Sequence, residues 1–323
     1  MLDSNRTKAM KFMRPERIPI SVGIVPSAWM KYRGELDAIV RRHPDLFGQP
    51  GGATRDYDAV WRESYAAGRH VDVWGCVWEN IHHGQDSIVT GHPVPTREDV
   101  HKLKAPEEVD GVFQHGFMYL RLCDLRGFEE AMIDFAEEPP ELQMLLDKVL
   151  DYNLRQAKAK FALLKPGEDM VYFGDDLGTQ HALPISPATW RKYLKPCYTQ
   201  IYRPFKAVGV NVYMHTDGHI LEIIPDLVDC GVDVVNPQIR ANGIDNLVRV
   251  CKGRFCIDLD LDRQMFPFCT PKDIDEHVKE CVMKLGAIEG GLWLKGEIDD
   301  GVSLENIEAL CAAMEKYSLF HSC

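Results

Sequence analysis

The fold is decided by residues 170–238, where three short apolar runs stand between longer polar segments: MVYF (170–173), VNVYM (210–214) and VDVV (232–235). Two further runs, FCIDL (255–259) and GLWL (291–294), continue the pattern toward the carboxyl terminus. Runs that are short and apolar on nearly every residue are typical of strands buried on both faces of a parallel sheet. A helix is predicted after each run, so this region consists of five consecutive strand–helix units.

Helix starts are marked by capping residues. Ser186 and Thr270 each precede a proline, and Ser303 precedes Leu-Glu-Asn, which are patterns of an N-cap followed by the first helical turn. A long helical region is predicted from Phe113 to Leu164, interrupted at Glu138-Pro-Pro, where the prolines begin a new helix.

The first third of the chain is less regular. Residues 1–13 form a short basic amphipathic lead-in, residues 18–24 are predicted as the first strand, and the apolar run 71–78 as another. Five strand–helix units and about three earlier strands add up to eight. We therefore predict a single (β/α)8 TIM-barrel domain over residues 1–323 with an N-terminal helical extension, and a doubly wound open sheet is the alternative.

Composition excludes several classes of protein. The chain has 323 residues, of which 45% are hydrophobic, and 49 acidic against 37 basic residues give a net charge of −12. This balance argues against nucleic acid or an anionic membrane as the main partner. No apolar stretch reaches the ~18–20 residues of a membrane span, and residues 1–17 lack the apolar core of a signal peptide. The ten cysteines contain no CxxC pair, so we expect reduced thiols in a cytoplasmic protein.

Polar, mostly acidic residues follow all five strands. The active site of a parallel barrel lies at the carboxyl ends of its strands, so these residues are the candidate site. In chain order they are Asp175 and Asp176, His215 and Asp217, Asn236 and Gln238, Asp258 and Asp260, and Lys295 with Glu297.

His215 and Asp217 form the sharpest pair. Residues i and i+2 of a strand point to the same side, so both side chains can reach one ion. Imidazole and carboxylate suit zinc, and Glu297 at the end of the last strand is a candidate third ligand. The alternatives are a plain His–Asp hydrogen bond and, for Glu297, a salt bridge to Lys295 or a neighbouring helix.

The remaining candidates divide into catalytic and substrate-binding groups. Asp175, Asp176 and Asp258 are the candidate acid/base carboxylates. Asn236, Gln238 and Asp260 are candidate substrate-binding residues, although Asp258 and Asp260 have an ion pair with Arg263 as their alternative. Asp72, Trp74 and Trp78 are predicted to wall an aromatic substrate pocket, and burial of the tryptophans in the core is the alternative.

Several of these motifs together resemble the uroporphyrinogen decarboxylase superfamily, and within it the cobalamin-dependent methyltransferases. The resemblance extends over most of the chain and rests on stretches 8–19, 72–78, 174–180, 185–196, 215–218 and 224–237. It implies a (β/α)8 barrel, in agreement with the strand count.

Two departures from the family pattern favour the methyltransferases and modify their chemistry. Uroporphyrinogen decarboxylases carry an Arg-Gln-Ala-Gly-Arg segment after the first strand, whereas this chain has VPSAWMKYR at 25–33. The thiol-activating methyltransferases bind zinc through His-x-Cys and a distant Cys. The resemblance places His215, Asp217 and Glu297 at these positions, so two thiolates are replaced by carboxylates. Carboxylates are harder ligands and favour an oxygen ligand at the open position, which makes an aryl methyl ether a natural substrate.

The resemblance thus implies a zinc-dependent methyltransferase of the O-demethylase type. It would move a methyl group from a small methoxylated, aromatic substrate to the Co(I) corrinoid of a partner protein, since the chain has no Asp-x-His-x-x-Gly segment of its own. It is also compatible with a homodimer. Two other hypotheses stay open at this point. One is a metal-independent decarboxylase of a smaller substrate, with Asp72 or Asp175 stabilising a cation, and the other is a non-catalytic corrinoid-binding or ligand-sensing relative.

Overall fold

The structure is a computed structural model that describes residues 3–49, 55–165 and 169–320. Strands and helices alternate along most of the chain. Within the described ranges the strands are β1 (Ile20–Ile24), β2 (Gly68–Val71), β3 (Val77–Asn80), β4 (Ile88–Gly91), β5 (Met170–Gly174), β6 (Asn211–Thr216), β7 (Val234–Pro237), β8 (Cys256–Asp260) and β9 (Leu292–Ile298). Each of the five apolar runs that opened the sequence analysis therefore contains a strand, as predicted.

The helices begin largely where capping residues predict them. Ser186, Thr270 and Ser303 each accept a backbone N–H of the following turn, and Thr270 forms a reciprocal capping box with Asp273. The helices are α1 (Ser4–Met10), α2 (Pro26–Arg42), α3 (Pro44–Phe47), α4 (Asp99–Lys102), α5 (Tyr119–Arg126), α6 (Phe128–Glu137), α7 (Pro140–Leu163), α8 (Pro187–Tyr193), α9 (Lys195–Ala207), α10 (Ile224–Asp229), α11 (Ile239–Asn242), α12 (Ile244–Cys251), α13 (Pro271–Leu285) and α14 (Leu304–Ser318), with a 3-10 turn at Glu63–Tyr65. Helix α1 confirms the predicted N-terminal helical segment.

The chain divides into two structural units, of which the first contains residues 70–78 and 89–237. In this unit β5, β6 and β7 are parallel neighbours in that order. Their register sets Gly174 opposite His215 and His215 opposite Asn236. Since the carboxyl ends of these strands coincide, the polar residues that follow them come together at one edge.

The second unit contains the described residues of 3–69, 79–88 and 238–320. Here β1, β9 and β8 are parallel neighbours, with Ile20 opposite Leu294 and Asp260 opposite Lys295. All five residues of β8 are buried, which agrees with its unbroken apolar patterning. Helices α13 and α14 pack against each other in this unit.

The eight-stranded barrel is not confirmed. The described residues contain six parallel strands, three in each unit, so the α/β class with parallel strands is confirmed and the closed barrel and its single domain over 1–323 stay predictions. The predicted strand over 71–78 is wrong. Residues 72–76 form a turn, in which the N–H of Asp72 donates to the carbonyl of Cys76 (3.0 Å), and β2, β3 and β4 form a separate three-stranded sheet.

The predicted helix start at Phe113 is also wrong, because residues 111–118 form a loop before α5. Aromatic packing holds this loop against the sheet of the first unit: the Phe113 ring lies 4.6 Å and the Phe117 ring 5.2 Å from the ring of Phe173 on β5. The carbonyl of Phe117 accepts a hydrogen bond from the buried side chain of Asn153 on α7 (2.7 Å). The loop is therefore anchored at several points and has a defined position next to the end of β5.

No helix among the described residues is both long enough and apolar enough to cross a membrane.

Candidate functional site

The site in the first unit is built around His215, near the end of β6. The His215 Nε2 atom lies 3.2 Å from Oδ1 of Asp217, so the two side chains share one side of the strand end, as their spacing predicts. The loops after β5 and β6 are joined by backbone hydrogen bonds, in which Asp175 N–H donates to the His215 carbonyl (3.0 Å) and Gly178 N–H to the Asp217 carbonyl (3.2 Å). Both loops are thereby held in one arrangement.

The second ring nitrogen of His215 is held by β7. Its Nδ1 lies 2.6 Å from the side-chain oxygen of Asn236, which is fully buried and directly opposite His215 in the strand register. The amide oxygen can only accept, so Nδ1 carries the proton and Nε2 presents its lone pair toward the strand ends. Asn236, predicted to bind substrate, is therefore placed to orient His215.

His115, in the loop before α5, was missed by the sequence analysis. Its Nε2 lies 3.0 Å from Oδ2 of Asp176, and its ring centre is 5.6 Å from that of His215. Ligand atoms of His115, Asp176 and His215 all lie within 4.8 Å of one another, so this part of the structure offers a His/Asp/His metal-binding group. Burial lowers the pKa of His115, but the hydrogen bond and charge of Asp176 outweigh burial and the net pKa is raised.

No strand ends at His115, and this is why reasoning from strand ends could not find it. The one local signal is the neighbouring Gly116, which adopts a positive φ of 76° and turns the loop toward β5. The Gly116 N–H donates to the carbonyl of Gly174 (2.8 Å). A Cβ on Gly174 would lie 2.5 Å from Nδ1 of His115, so the absence of a side chain there gives the imidazole its place.

Two other glycines bring the loops after β5 and β6 together. A Cβ on Gly218, whose φ is 83°, would lie 2.2 Å from the backbone of Gly178, and one on Gly178 would lie 2.4 Å from the backbone of His219. The two chain segments are in direct backbone contact, which only glycine permits. The Asp217 N–H donates to Oδ1 of Asp176 (3.0 Å) across this contact.

Asp175 has a different role from its neighbour Asp176. Its buried carboxylate accepts three backbone N–H groups at the start of α5, from residues 118 (3.1 Å), 119 (2.6 Å) and 120 (2.8 Å), together with the hydroxyl of Tyr198 (2.7 Å). Burial raises the pKa of Asp175, and these hydrogen bonds oppose the rise. Predicted as catalytic, Asp175 is engaged in fixing the start of α5 to the end of β5.

Asp72 likewise holds a turn together. Its Oδ1 accepts the backbone N–H groups of Trp74 (3.0 Å) and Cys76 (2.9 Å), while Oδ2 accepts the indole N–H of Trp78 (3.1 Å) and the guanidinium of Arg121 (2.5 Å). Trp74 is 5% exposed, which agrees with the core alternative for this residue. Burial opposes ionisation of Asp72, but Arg121 prevails and the net pKa is lowered.

The remaining candidates lie in the second unit. Asp258 and Asp260 are buried on β8, and Gln238 forms a bridge with Asp260. Glu297 on β9 accepts a hydrogen bond from the guanidinium of Arg263. This ion pair matches the salt-bridge alternative in kind, with Arg263 in place of Lys295.

Nine of the ten cysteines lie in the described residues and all nine are free. Burial raises the pKa of several of them, among them Cys76 and Cys197, each to about 12. These thiols are protonated at neutral pH and are placed in the core.

Comparison with known proteins gives the family. Residues 119–317, more than half of the chain, match the sequence model of the uroporphyrinogen decarboxylase (URO-D) family. No curated protein matches the chain. Among solved structures, a methyltransferase from Methanosarcina mazei is similar with a TM-score of 0.62 at 18% identity, over 97% of this chain and 98% of that one. A dihydropteroate synthase from Xanthomonas albilineans has a TM-score of 0.34 at 13% identity, over 50% of this chain and 58% of that one.

The match begins at α5 and includes the strand ends that carry Asp176, His215 and Asn236, whereas His115 lies just before it. The first structural likeness extends over nearly the whole chain and shows a shared fold. The resemblance drawn from the sequence motifs is confirmed at the level of the superfamily, and the chain belongs to the uroporphyrinogen decarboxylase family.

Proposed function

We propose that this protein transfers a methyl group from a small methoxylated, aromatic substrate to the Co(I) corrinoid of a separate partner protein, assisted by a zinc ion. Family membership supports the proposal, as does the fold shared with a methyltransferase. The observation that carries it is the setting of His215, whose Nδ1 is held by Asn236 (2.6 Å) while Nε2 faces the carboxylate of Asp217 (3.2 Å).

This setting fits a metal ion by the chemistry of its donors. A metal-binding histidine commonly donates its other ring N–H to a neighbouring acceptor, as His215 does to Asn236. His215 and Asp217 supply imidazole and carboxylate, a donor set that suits zinc, and Glu297 remains the third ligand expected from the sequence. Zinc in this position supplies Lewis acidity that draws electron density from the ether oxygen of the substrate, so that the phenolate leaves more easily.

The chain's own side chains then orient the substrate and handle a proton. Of the three carboxylates predicted as catalytic, Asp175 is saturated by four donors, and Asp176 is engaged by His115 and by the N–H of Asp217. We therefore assign the proton that accompanies phenol release to Asp258. Gln238 and Asp260 keep their proposed role in substrate binding, whereas the contacts of Asp72, Trp74 and Trp78 favour a structural role for these three.

The decarboxylase hypothesis loses support from the same contacts. It requires Asp72 or Asp175 to stabilise a cation on the substrate, yet both carboxylates are occupied by donors of the protein itself. The non-catalytic hypothesis does not account for a histidine that is oriented from behind by a buried amide. A corrinoid protein as partner, a homodimer and a cytoplasmic location stay predictions.

The test is methyl transfer to free cob(I)alamin from a panel of methoxylated benzoates. Methylcobalamin is followed by its absorbance and the phenol product by chromatography, before and after chelation and after zinc is restored. We expect both products in equal amounts, loss on chelation and recovery with zinc, and no activity in His215→Ala. Release of CO2 from carboxylated aromatics that survives chelation, with no methyl transfer, would establish the decarboxylase instead.

A further inference from the structure

Three ligand atoms converge in the first unit from three separate segments. His115 comes from the loop before α5, Asp176 follows β5, and His215 lies on β6. Their ligand atoms lie within 4.8 Å of one another. Only His215 belongs to the ligand set that the sequence suggests, so the structure offers a second set within one unit of the chain.

The distances are those of a site that an ion can enter with small movements. Metal–nitrogen and metal–oxygen bonds of about 2.0–2.1 Å at tetrahedral angles separate ligand atoms by about 3.3 Å. His115 Nε2 and Asp176 Oδ2 are 3.0 Å apart, so this pair would open by a few tenths of an ångström. The widest separation, at most 4.8 Å, would close by about 1.5 Å, which is within the reach of side-chain rotation.

Each of the three side chains is positioned by a group behind it. Asn236 holds the far nitrogen of His215 (2.6 Å), and the backbone N–H of Asp217 holds the far oxygen of Asp176 (3.0 Å). The bare Cα of Gly174 leaves space for the His115 ring. Supporting contacts of this kind orient ligands and raise the affinity of metal sites.

Glu297 has a competing partner, whereas the set in the first unit has none of its members bound to a cation of fixed charge among the contacts described above. To ligate a metal, Glu297 would have to exchange the guanidinium of Arg263, and a partly buried ion pair is costly to break from one side. Asp217 already serves the set through its backbone N–H.

We propose that His115, Asp176 and His215 are the primary ligands of a divalent d-block metal ion such as zinc, in place of Asp217 and Glu297. Two imidazoles and one carboxylate leave an open position for an oxygen atom of the substrate. The inference rests on the proposed function only for the use of the metal in methyl transfer, since binding of the ion is measured without turnover.

The experiment is titration of the full-length chain with Co(II) and Zn(II). Cobalt gives visible d–d absorption whose intensity reports the coordination number, and competition with zinc gives the affinity. We expect about one ion per wild-type chain. His115→Ala, His115→Gln, Asp176→Asn and His215→Ala should each weaken binding by more than the 10- to 100-fold typical of outer contacts. Circular dichroism verifies the fold of every variant.

Two substitutions serve as controls. His181→Ala removes an exposed histidine from the loop after β5, and Glu297→Gln removes the alternative ligand while keeping the shape of the side chain. We expect both to keep the cobalt spectrum and the affinity of the wild type. Retained binding in a folded His115→Gln variant, with loss in Glu297→Gln, would overturn the proposal in favour of the set suggested by the sequence.

A geometric variant tests the site without removing any donor. The Cβ in Gly174→Ala would lie 2.5 Å from Nδ1 of His115 and displace the ring, whereas Gly34→Ala has open space around its Cβ. We expect weaker cobalt binding in the first variant only, and equal binding in both would count against His115 as a ligand.

The two proposals fail separately. A wild-type chain that methylates cob(I)alamin but keeps its metal in folded His115 variants would contradict this ligand set and leave the proposed function standing. A chain that binds metal through His115 but transfers no methyl group would do the reverse. A folded wild-type chain that binds neither Co(II) nor Zn(II) overturns the ligand set whatever its activity.

Discussion

The strand ends of β5 and β6 and the turn at residues 72–76 look alike in the sequence, and they differ in what surrounds their carboxylates. In the turn, Asp72 is satisfied by two backbone N–H groups, an indole and a guanidinium, all of them fixed donors. At the strand ends, Asp176 shares an oxygen with His115, a side chain that can itself bind a metal. A carboxylate surrounded by permanent donors stabilises the fold, while one paired with imidazoles keeps its chemistry available.

The same difference separates two neighbours in the chain. Asp175 points into the protein and accepts four hydrogen bonds, whereas Asp176 points toward His115 and is about 30% exposed. Adjacent residues after a strand face opposite sides, so one carboxylate holds the helix and the other is left for the site. The comparison predicts that substitutions in the two groups act on different properties of the protein.

The largest effect is expected at Asp175. Asp175→Ala leaves three backbone N–H groups and the Tyr198 hydroxyl buried without their acceptor, so the free energy of unfolding should fall by about 5 kcal/mol. Urea denaturation measures this. Asp176→Asn is the matched control and should change the free energy of unfolding by less than about 1 kcal/mol while it weakens metal binding. Equal losses of stability in the two variants would remove the distinction between these neighbours.

Removal of Asp72 comes next. Asp72→Ala leaves the buried guanidinium of Arg121 with only Asp124, whose carboxylate is 3.8 Å away. We expect a loss of about 3 kcal/mol in the free energy of unfolding, with little change in zinc affinity, because the turn does not contain a ligand. Thermal unfolding and a zinc competition assay check both parts. A large loss of zinc affinity in the folded variant would place Asp72 in the functional group after all.

Asp124 should make the first unit sensitive to pH. Burial raises the pKa of Asp124 from 3.8 to about 7, with Arg121 acting against the rise. The folded chain then binds a proton that the unfolded chain has released, so the free energy of unfolding should fall by about 2 kcal/mol as the pH rises from 4 to 7. The measurement is the difference in unfolding free energy between wild type and Asp124→Asn across this range. A difference that does not vary with pH would contradict the shift.

The smallest expected effect is at Asn236. Asn236→Ala keeps every proposed ligand but frees the Nδ1 atom of His215, so zinc should bind about 10- to 100-fold more weakly. Isothermal titration calorimetry measures the change. Asn242→Ala, on the other side of the same strand–helix connection, serves as the control because its side chain bonds only a backbone carbonyl in the contacts seen here (2.8 Å). Unchanged zinc affinity in Asn236→Ala would assign this amide to the substrate, as the sequence suggests.

Local patterns carried much of the prediction. The five buried runs, the caps at Ser186, Thr270 and Ser303, and the proline break before α7 are set by neighbours along the chain, and each is confirmed. The pair of His215 and Asp217 was also predicted, because side-chain alternation in a strand is a local property. Prediction failed in the region 71–78, where apolar residues on both sides of a tight turn have the composition of a single strand.

What the sequence by itself determined is therefore the set of buried strands, the family and the edge of the sheet where the site lies. Tertiary structure decided which residues meet there: His115 reaches the site because Phe113 and Phe117 pack on Phe173 and because Gly174 has no side chain. It also decided that Asp175 fixes a helix while Asp176 faces an imidazole. Hydrophobic periodicity is repeated locally and can be read from the chain, whereas the meeting of two loops depends on packing between residues distant in sequence.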